Sequence, residues 1–300
     1  MKLPQVTIII VNWNGKTDTL ECLDSLRTDV YPNKHIIVVD NGSSDDSVAA
    51  IRNRFPEVKV IETGKNLGFT GGNNFGITQA MADAPDYVFL LNNDTMVEPA
   101  CITSLVKSAT SDARIGAVSA RVRYFDPPRE VWFGGAIADF SKGLFVHDNS
   151  SSNLEQNEPY AADWLTGCAM LIAKDVLEQL RGFDDRFYLY CEDVDLSLRI
   201  GALNRLLLVD PNACLFHKCG RSARRFATII DYYHVRNNLL LLKKHAKSEF
   251  MAGALSFLGR CLREICHSTI KSPPLGLKRA YYQSRGILDF LQGRSGPFKV

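Results

Sequence analysis

The chain has 300 residues, 46% of them hydrophobic and 23% charged, with a formal net charge of +2. That length supports a real core in one large or two modest domains, and the composition excludes a disordered chain. A near-neutral balance also lacks the overall basic field of a nucleic-acid binder, so nucleic acid is not an expected partner.

In chain order, Val6–Val11 (VTIIIV) is a β-branched run that predicts a strand ending at Asn12. Leu20, Leu23 and Leu26 fall at helical spacing within Thr17–Arg27. Ile36–Val39 predicts a second strand ending at Asp40, and Asp46–Arg54 a helix behind an N-capping cluster of Ser and Asp. Val58–Ile61 predicts a short third strand, Asn73–Ala82 a helix, and Tyr87–Leu91 a fourth strand that runs into Asn92-Asn93-Asp94. Strand–helix alternation of this kind predicts an α/β fold, a mainly parallel sheet covered by helices on both faces.

The middle of the chain, 111–225, is less regular. Ser141–Pro159 is rich in Ser and Asn and predicts a surface loop, either a lid or acceptor loop or a plain solvent loop. An apolar stretch at Gly167–Ala173, a helix over 174–181 and the acidic segment Gly182–Arg199 follow. From Ile229 onward the pattern is helical, with a second helix near 249–266. Its apolar part, Ser248–Leu258, has only about ten residues, too few to cross a bilayer of roughly 30 Å. Arg260, Arg263 and Lys271 come next, so this helix either lies on an anionic membrane surface or packs on the main domain.

Eight cysteines are scattered without C-x-x-C spacing, which predicts reduced, buried thiols rather than a zinc or redox site. The six-residue apolar run after Lys2 is too short for a signal peptide, and sequons at Asn41 and Asn93 fall where glycans would block the strand ends. A cytoplasmic location is the expectation.

Three apolar runs end in polar residues: Asn12-Trp13-Asn14, Asp40-Asn41-Gly42 and Asn92-Asn93-Asp94. In an open parallel sheet, ligands bind beyond the carboxyl ends of the strands, so the three endings predict one polar rim. Asp40 as acceptor and Asn14 as donor and acceptor match the imide edge of a pyrimidine. No P-loop and no G-x-G-x-x-G is present. Asn66–Gly76 (NLGFTGGNNFG) nevertheless predicts close backbone approach to a ligand at Gly68, with Asn73 or Asn74 capping a helix whose N-terminus favours phosphate. Asp94 is the natural metal ligand of the group, since a hard divalent cation held by a diphosphate needs only one or two protein carboxylates. In Tyr188–Arg199 (YLYCEDVDLSLR), Asp195 and Arg199 form an i,i+4 pair, whereas Glu192 and Asp193 have no local partner.

Taken together, VTIIIVNWNG, VVDNGSSDDS, NLGFTGGNNFG, FLLNNDTMVEP, GCAMLI, GFDDRFYLYCEDVDLSLR, FHKCGRS and YYHVRNN resemble family 2 glycosyltransferases, above all the bacterial rhamnosyl- and galactofuranosyltransferase branch. The resemblance covers about residues 5–245. It implies a GT-A fold, an inverting hexosyl transfer from a nucleotide-diphosphate sugar (dTDP- or UDP-linked), a divalent cation (Mg²⁺ or Mn²⁺), and a cell-surface polysaccharide or lipid-linked glycan as acceptor. It implies a donor-binding half at 1–110, an acceptor-binding and catalytic half at 111–225, and a helical extension at 226–300; peripheral membrane association follows only if the basic helix near 249–266 lies on the membrane rather than on the main domain.

Carried over by position, Asp40 resembles the base-recognising aspartate, and Asn92-Asn93-Asp94 stands at the D-x-D position with Asn in place of the first aspartate. Asn12, Asn14, Asn66, Gly68, Asn73, Asn92 and Asn93 join Asp40 on the donor side. Asp193 is implied as general base with Glu192 beside it, Asp94 and His217 as metal ligands, and Trp164 and Asp163 as acceptor contacts. Lys218 or Arg221 either reaches the diphosphate or belongs to a solvated basic loop, and Tyr232, Tyr233, Arg236 and Asn237 either close over the donor or pack the last helices. Two other classes compete: a sugar nucleotidyltransferase, which wants a basic glycine-rich N-terminal loop where VNWNGKT stands, and a transferase-like scaffold that has lost catalysis.

Overall fold

The structure, a computed structural model, describes residues 3–128, 130–219 and 227–298. Four strands, β1 (Val6–Asn12), β2 (Lys34–Asp40), β3 (Lys59–Glu62) and β4 (Tyr87–Asn92), lie parallel in the spatial order β3-β2-β1-β4. Helices α1 (Lys16–Thr28), α2 (Ser47–Arg54) and α3 (Gly68–Met81) make the crossovers. Helix α1 buries Cys22, Leu23 and Leu26, the face its leucine spacing predicts.

The sheet continues past β4. After β5 (Thr95–Val97) and α4 (Cys101–Ala109) come β6 (Ile115–Tyr124) and β7 (Val131–Phe133). A separate hairpin, β8 (Ala136–Asp139) and β9 (Leu144–His147), is followed by the short α5 (Ser151–Leu154) and β10 (Tyr160–Ala161). Then β11 (Ala169–Ala173), α6 (Lys174–Leu180), α7 (Glu192–Ala202) and β12 (Leu206–His217) complete a sheet of ten strands, eight of them ordered β10-β12-β6-β11-β4-β1-β2-β3, with β5 paired to β12 and β7 to β6. Strand β11 runs antiparallel to both β4 and β6, while β6 and β12 are parallel to one another. One core cluster, with β1, β4, β6 and β11 at its centre, serves both halves.

Three helices end the described chain: α8 (Ala227–His245), α9 (Phe250–Lys271) and α10 (Pro273–Leu291), with Pro at the start of α10 where its missing N–H costs nothing. They share a second small core built on Val235, Leu239, Leu242 and Phe257. No helix among the described residues is long and apolar enough to cross a membrane.

Two expectations change. Helix α3 begins at Gly68, not Asn73, because its glycines let it settle directly on the sheet: a Cβ at Gly76 would stand 2.6 Å from Ile9 and 2.9 Å from Val39. Asn73 is therefore an interior helical residue whose Nδ2 donates to the Phe69 carbonyl, and it caps nothing. The polar segment 141–159 is likewise no plain loop, since it holds β9 and α5. The Asn149 Oδ1 accepts from Gly134 N–H and pins the segment to the sheet.

Candidate active site

The order β3-β2-β1-β4 places a switch point between β1 and β4, and the polar ends of β1, β2 and β4 meet there. Asn12 is 0% exposed, and every polar atom of its side chain is used: Nδ2 donates to Asp40 (3.0 Å) and Ser43 (3.1 Å), and Oδ1 accepts from Thr19 (2.8 Å) and Gly15 N–H (3.2 Å). It is thus a bracket for Asp40 rather than a surface for a ligand. Asp40 also accepts from Ser43 N–H (3.0 Å), so its carboxylate has one orientation. Asn14 sits exposed in left-handed backbone (φ 51°), and its Oδ1 gathers the N–H groups of Ser44 and Asp45.

The neighbouring loop is built the same way. Asn66 Oδ1 accepts from Gly68 N–H (2.8 Å), and Asn41, buried beside it, accepts from Leu67 N–H and donates to the Gly68 carbonyl. Gly68 has φ +76°, and a Cβ there would stand 2.5 Å from the Tyr188 ring. The donor-side loop and the 186–191 segment are therefore in backbone contact.

Strand β4 ends in a two-residue turn, Asn93-Asp94, that feeds β5 back against β12. Asn93 donates to Thr19 (3.0 Å), while Lys218 N–H donates to the Asp94 carbonyl. This pairing brings the Asp94 carboxylate within 3.0 Å of His217 Nε2, although 123 positions separate the two in sequence. Burial alone lowers the pKa of His217; the adjoining Cys168 thiol and the Asp94 carboxylate reverse that and raise it well above the usual histidine value. Two neighbouring ligands on an octahedral ion, each about 2.1 Å from it, stand about 3 Å apart, so a carboxylate and an imidazole at this separation fit one hard divalent cation. Among the described residues no third His, Cys, Asp or Glu joins them, which leaves most of a coordination sphere to phosphate and water. Asn92, half-buried at the end of β4, sits beside this pair.

Lys218 does not face this space. Its ammonium is held by Asp18 (2.7 Å) and by Glu21 of α1, so it is engaged before any diphosphate arrives. Arg221 and Gly220 lie outside the described residues.

The acidic helix α7 supplies the opposite wall. Asp193 Oδ2 accepts from Gly167 N–H (3.0 Å) and Oδ1 from Val194 N–H (2.9 Å). Gly167 is confined between the Phe69 ring and Asp193, each 3.3–3.4 Å from where its Cβ would be. Burial raises the pKa of Asp193, against the lowering effect of these two N–H groups and of His147. Glu192 is pushed much further, by burial and by the adjacent Asp193, and its Oε2 has no partner among the described residues. The dipole at a helix start favours the ionised form of a carboxyl. Desolvation overrides the helix dipole here, since the dipole is worth only about 0.3–1 kcal/mol. Burial raises both carboxyls, and repulsion from Asp193 raises Glu192 the more, so Asp193 is the one that ionises first. Asp195 is paired with Arg199 (2.8 Å) as its spacing predicted, and additionally with Lys244 and His245 of α8.

Trp164 and Asp163 support the site from behind. Trp164 is 5% exposed, with Nε1 donating to the Ile137 carbonyl, and Asp163 accepts from Ala138 N–H, so both hold strand β8. The aromatic surface between the two carboxylate centres is instead Trp132 and His147, two residues the sequence did not single out. Trp132 packs edge-on against His217 (4.5 Å) and His147 (4.8 Å). Burial lowers the pKa of His147, and its Nδ1 meets the Trp132 carbonyl.

Immediately before α7, Tyr188, Tyr190 and Cys191 all have positive φ, a conformation that costs non-glycine residues about 1–3 kcal/mol each. The restraint comes from α8. Asn237 Nδ2 donates to the carbonyls of Phe187 (2.9 Å), Leu189 (2.7 Å) and Tyr190 (2.8 Å), and Arg236 to those of Arg186 and Phe187. Tyr233 stacks on Tyr188 (5.6 Å, 19°). The YYHVRNN motif therefore serves as a clamp on the loop that leads into Glu192-Asp193.

This geometry can be set beside known proteins. The family model described as glycosyl transferase family 2 matches residues 7–181. A Mycobacterium tuberculosis protein named N-acetylglucosaminyl-diphospho-decaprenol L-rhamnosyltransferase is 30% identical over 235 residues, covering 70% of this chain and 75% of its own. The Escherichia coli K12 rhamnosyltransferase WbbL is 24% identical over 251 residues, covering 80% and 93%. Among solved structures, a mannosyltransferase from Pyrobaculum calidifontis in complex with GDP-Man and Mn²⁺ superposes with a TM-score of 0.62 at 16% identity, covering 98% of this chain and 89% of that one. The chain is a GT-A-fold protein with a helical C-terminal extension. It belongs to glycosyltransferase family 2, with rhamnosyltransferases among its relatives.

Proposed function

We propose that this protein transfers a hexose, with inversion, from a dTDP- or UDP-linked diphosphate donor to a hydroxyl of a lipid-linked glycan precursor or cell-envelope polysaccharide. The observation that carries the reading is the pairing of Asp94 with His217 on one side of the Trp132–His147 surface and the oriented Asp193 carboxylate on the other. The rhamnosyltransferase relatives support the donor and acceptor classes, and the Mn²⁺ of the structural neighbour supports the cation. Eight free thiols, five of them buried, support a cytoplasmic setting.

Asp40 and Asn14 hold the base of the nucleotide, with Asn12 fixing Asp40. The Asn66–Gly68 backbone approaches the donor, and Asn92 and Asn93 border its diphosphate. Asp94 and His217 hold a Mg²⁺ or Mn²⁺ ion, which when bound neutralises charge developing on the leaving diphosphate. The acceptor hydroxyl oxygen forms a bond to C1 while the bond from C1 to the diphosphate oxygen breaks, the electron pair leaving with the diphosphate. Asp193 accepts the hydroxyl proton. Its raised pKa makes it a better base than an exposed aspartate, and burial disfavours a second charge on Glu192 beside it.

Asp193→Asn tests the assignment. Transfer should fall by about a thousandfold or more, while thermal stabilisation by dTDP or UDP with Mn²⁺ persists. Turnover within tenfold of the wild type would remove Asp193 from the role of base.

A further inference from the structure

Charge is segregated along this chain. Residues 247–300 contain nine Lys and Arg against three Asp and Glu, a net of +6, so that residues 1–246 carry −4. Exposed apolar side chains are segregated the same way: nine of the sixteen large exposed hydrophobics among the described residues lie between Met251 and Leu291.

On α9, Gly253, Ala254, Phe257 and Cys261 are buried against the protein, and the exposed Arg263, His267 and Lys271 supply a basic sector along its C-terminal half. Met251, Leu255 and Leu262 fall within about 40° of one another around the helix and form an exposed stripe, with Ile270, 83% exposed, displaced toward Arg263. Helix α10 repeats the pattern with Leu277, Tyr281, Leu288 and Leu291 at spacings of four, seven and three, near Lys278.

We infer that the outer stripes of α9 and α10 form a docking face for an anionic lipid bilayer, the apolar side chains entering the headgroup boundary and the basic sector meeting lipid phosphates. Charge decides between this occupant and a second copy of the chain. Joining two such faces would set the exposed Arg263, Lys271 and Lys278 of one copy against those of the other, whereas an anionic surface multiplies partition by about fivefold for each Lys or Arg brought to it.

The face is also mechanically connected to the candidate site. Arg260 of α9 donates to the carbonyls of Lys142 (2.8 Å) and Gly143 (2.6 Å), and Gly253 lies against the Phe140 carbonyl. These residues form the turn of the β8–β9 hairpin, whose other end is His147 beside Asp193. A bilayer under α9 thus stands one hairpin away from the base, the arrangement a lipid-linked acceptor requires. That last link rests on the proposed function; the docking itself does not.

Co-sedimentation of the full chain with vesicles of phosphatidylcholine alone, or with one-third phosphatidylglycerol, is the test. Binding is expected to the anionic vesicles and to weaken as salt is raised. Arg263→Glu with Lys271→Glu, both exposed and away from the core, should weaken it by about 25-fold or more. Leu255→Glu with Leu262→Glu should abolish it without altering thermal stabilisation by nucleotide and Mn²⁺. Equal binding to both vesicle types, no binding to either, or a concentration-dependent dimer broken by the leucine variants would overturn the proposal. Loss of nucleotide stabilisation in the wild type, with vesicle binding intact, would count against the transferase reading alone.

Discussion

The two walls of the candidate site are built on different principles. On the donor side, Asn12, Asp40, Asn41 and Asn66 hold one another through short side-chain hydrogen bonds at the ends of buried parallel strands, so the rim is as rigid as the sheet. On the catalytic side, the loop into Glu192-Asp193 has three left-handed residues and depends on a clamp from a helix some fifty residues further along. A rim grown from strand ends is pre-organised by the core; a loop held from outside is only as accurate as its restraint. Under the proposed function, the first wall would govern donor affinity and the second turnover.

The largest effect is expected where that division is broken at the clamp. Asn237→Ala leaves the Leu189 and Tyr190 carbonyls without their donor, so kcat should fall by about a hundredfold while donor KM changes little. Steady-state kinetics with donor varied separate the two parameters, and an equal rise in KM would mean that the clamp shapes both walls. Asn12→Ala should show the reverse, donor KM rising by about tenfold with kcat near wild type, because the bonds lost, to Asp40, Ser43, Thr19 and Gly15, all lie on the donor side. Gly68→Ala strikes the seam between the walls. Its φ of +76° and the Tyr188 ring predict a loss of about 1–3 kcal/mol by urea denaturation.

Glu192→Gln gives the smallest effect, with a definite sign. A carboxyl whose pKa is raised by folding costs stability above its unfolded value of about 4.3 and costs none below it. The variant should therefore be about 1 kcal/mol more stable than wild type near pH 7.5 and indistinguishable below about pH 4. Equal gains at both pH values would show that shape rather than charge is responsible.

The same contrast explains what could be read from the sequence. Strand ends declare themselves: apolar runs stopping at Asn12, Asp40 and Asn92 are local patterns, and the i,i+4 pairing of Asp195 with Arg199 is equally local. Helix α3 was half-hidden because glycine costs a helix about 1 kcal/mol relative to alanine; only contact with β1 and β2 repays it, and that contact is tertiary. The β8–β9 hairpin was masked by the polar turn Ser141-Lys142-Gly143, and His147 was lost with it. Resemblance, not spacing, singled out His217, and the structure then set it beside Asp94. The clamp's motif was visible, but no local rule states that Arg236 and Asn237 satisfy carbonyls at 186–190. Nor does sequence report desolvation, which raises the pKa of Asp193.

Tyr188 has a consequence of its own. Its carbonyl accepts from Phe69 N–H and Thr70 N–H at the start of α3, its ring covers Gly68, and its chain leads within five residues to Asp193. A nucleotide that orders the Asn66–Gly68 turn must therefore shift the free energy of the segment carrying the base. By linkage, an acceptor that orders the base must tighten the nucleotide by the same factor. Such reciprocity would disfavour a fully set base in a site without donor, and would limit the loss of activated sugar to water.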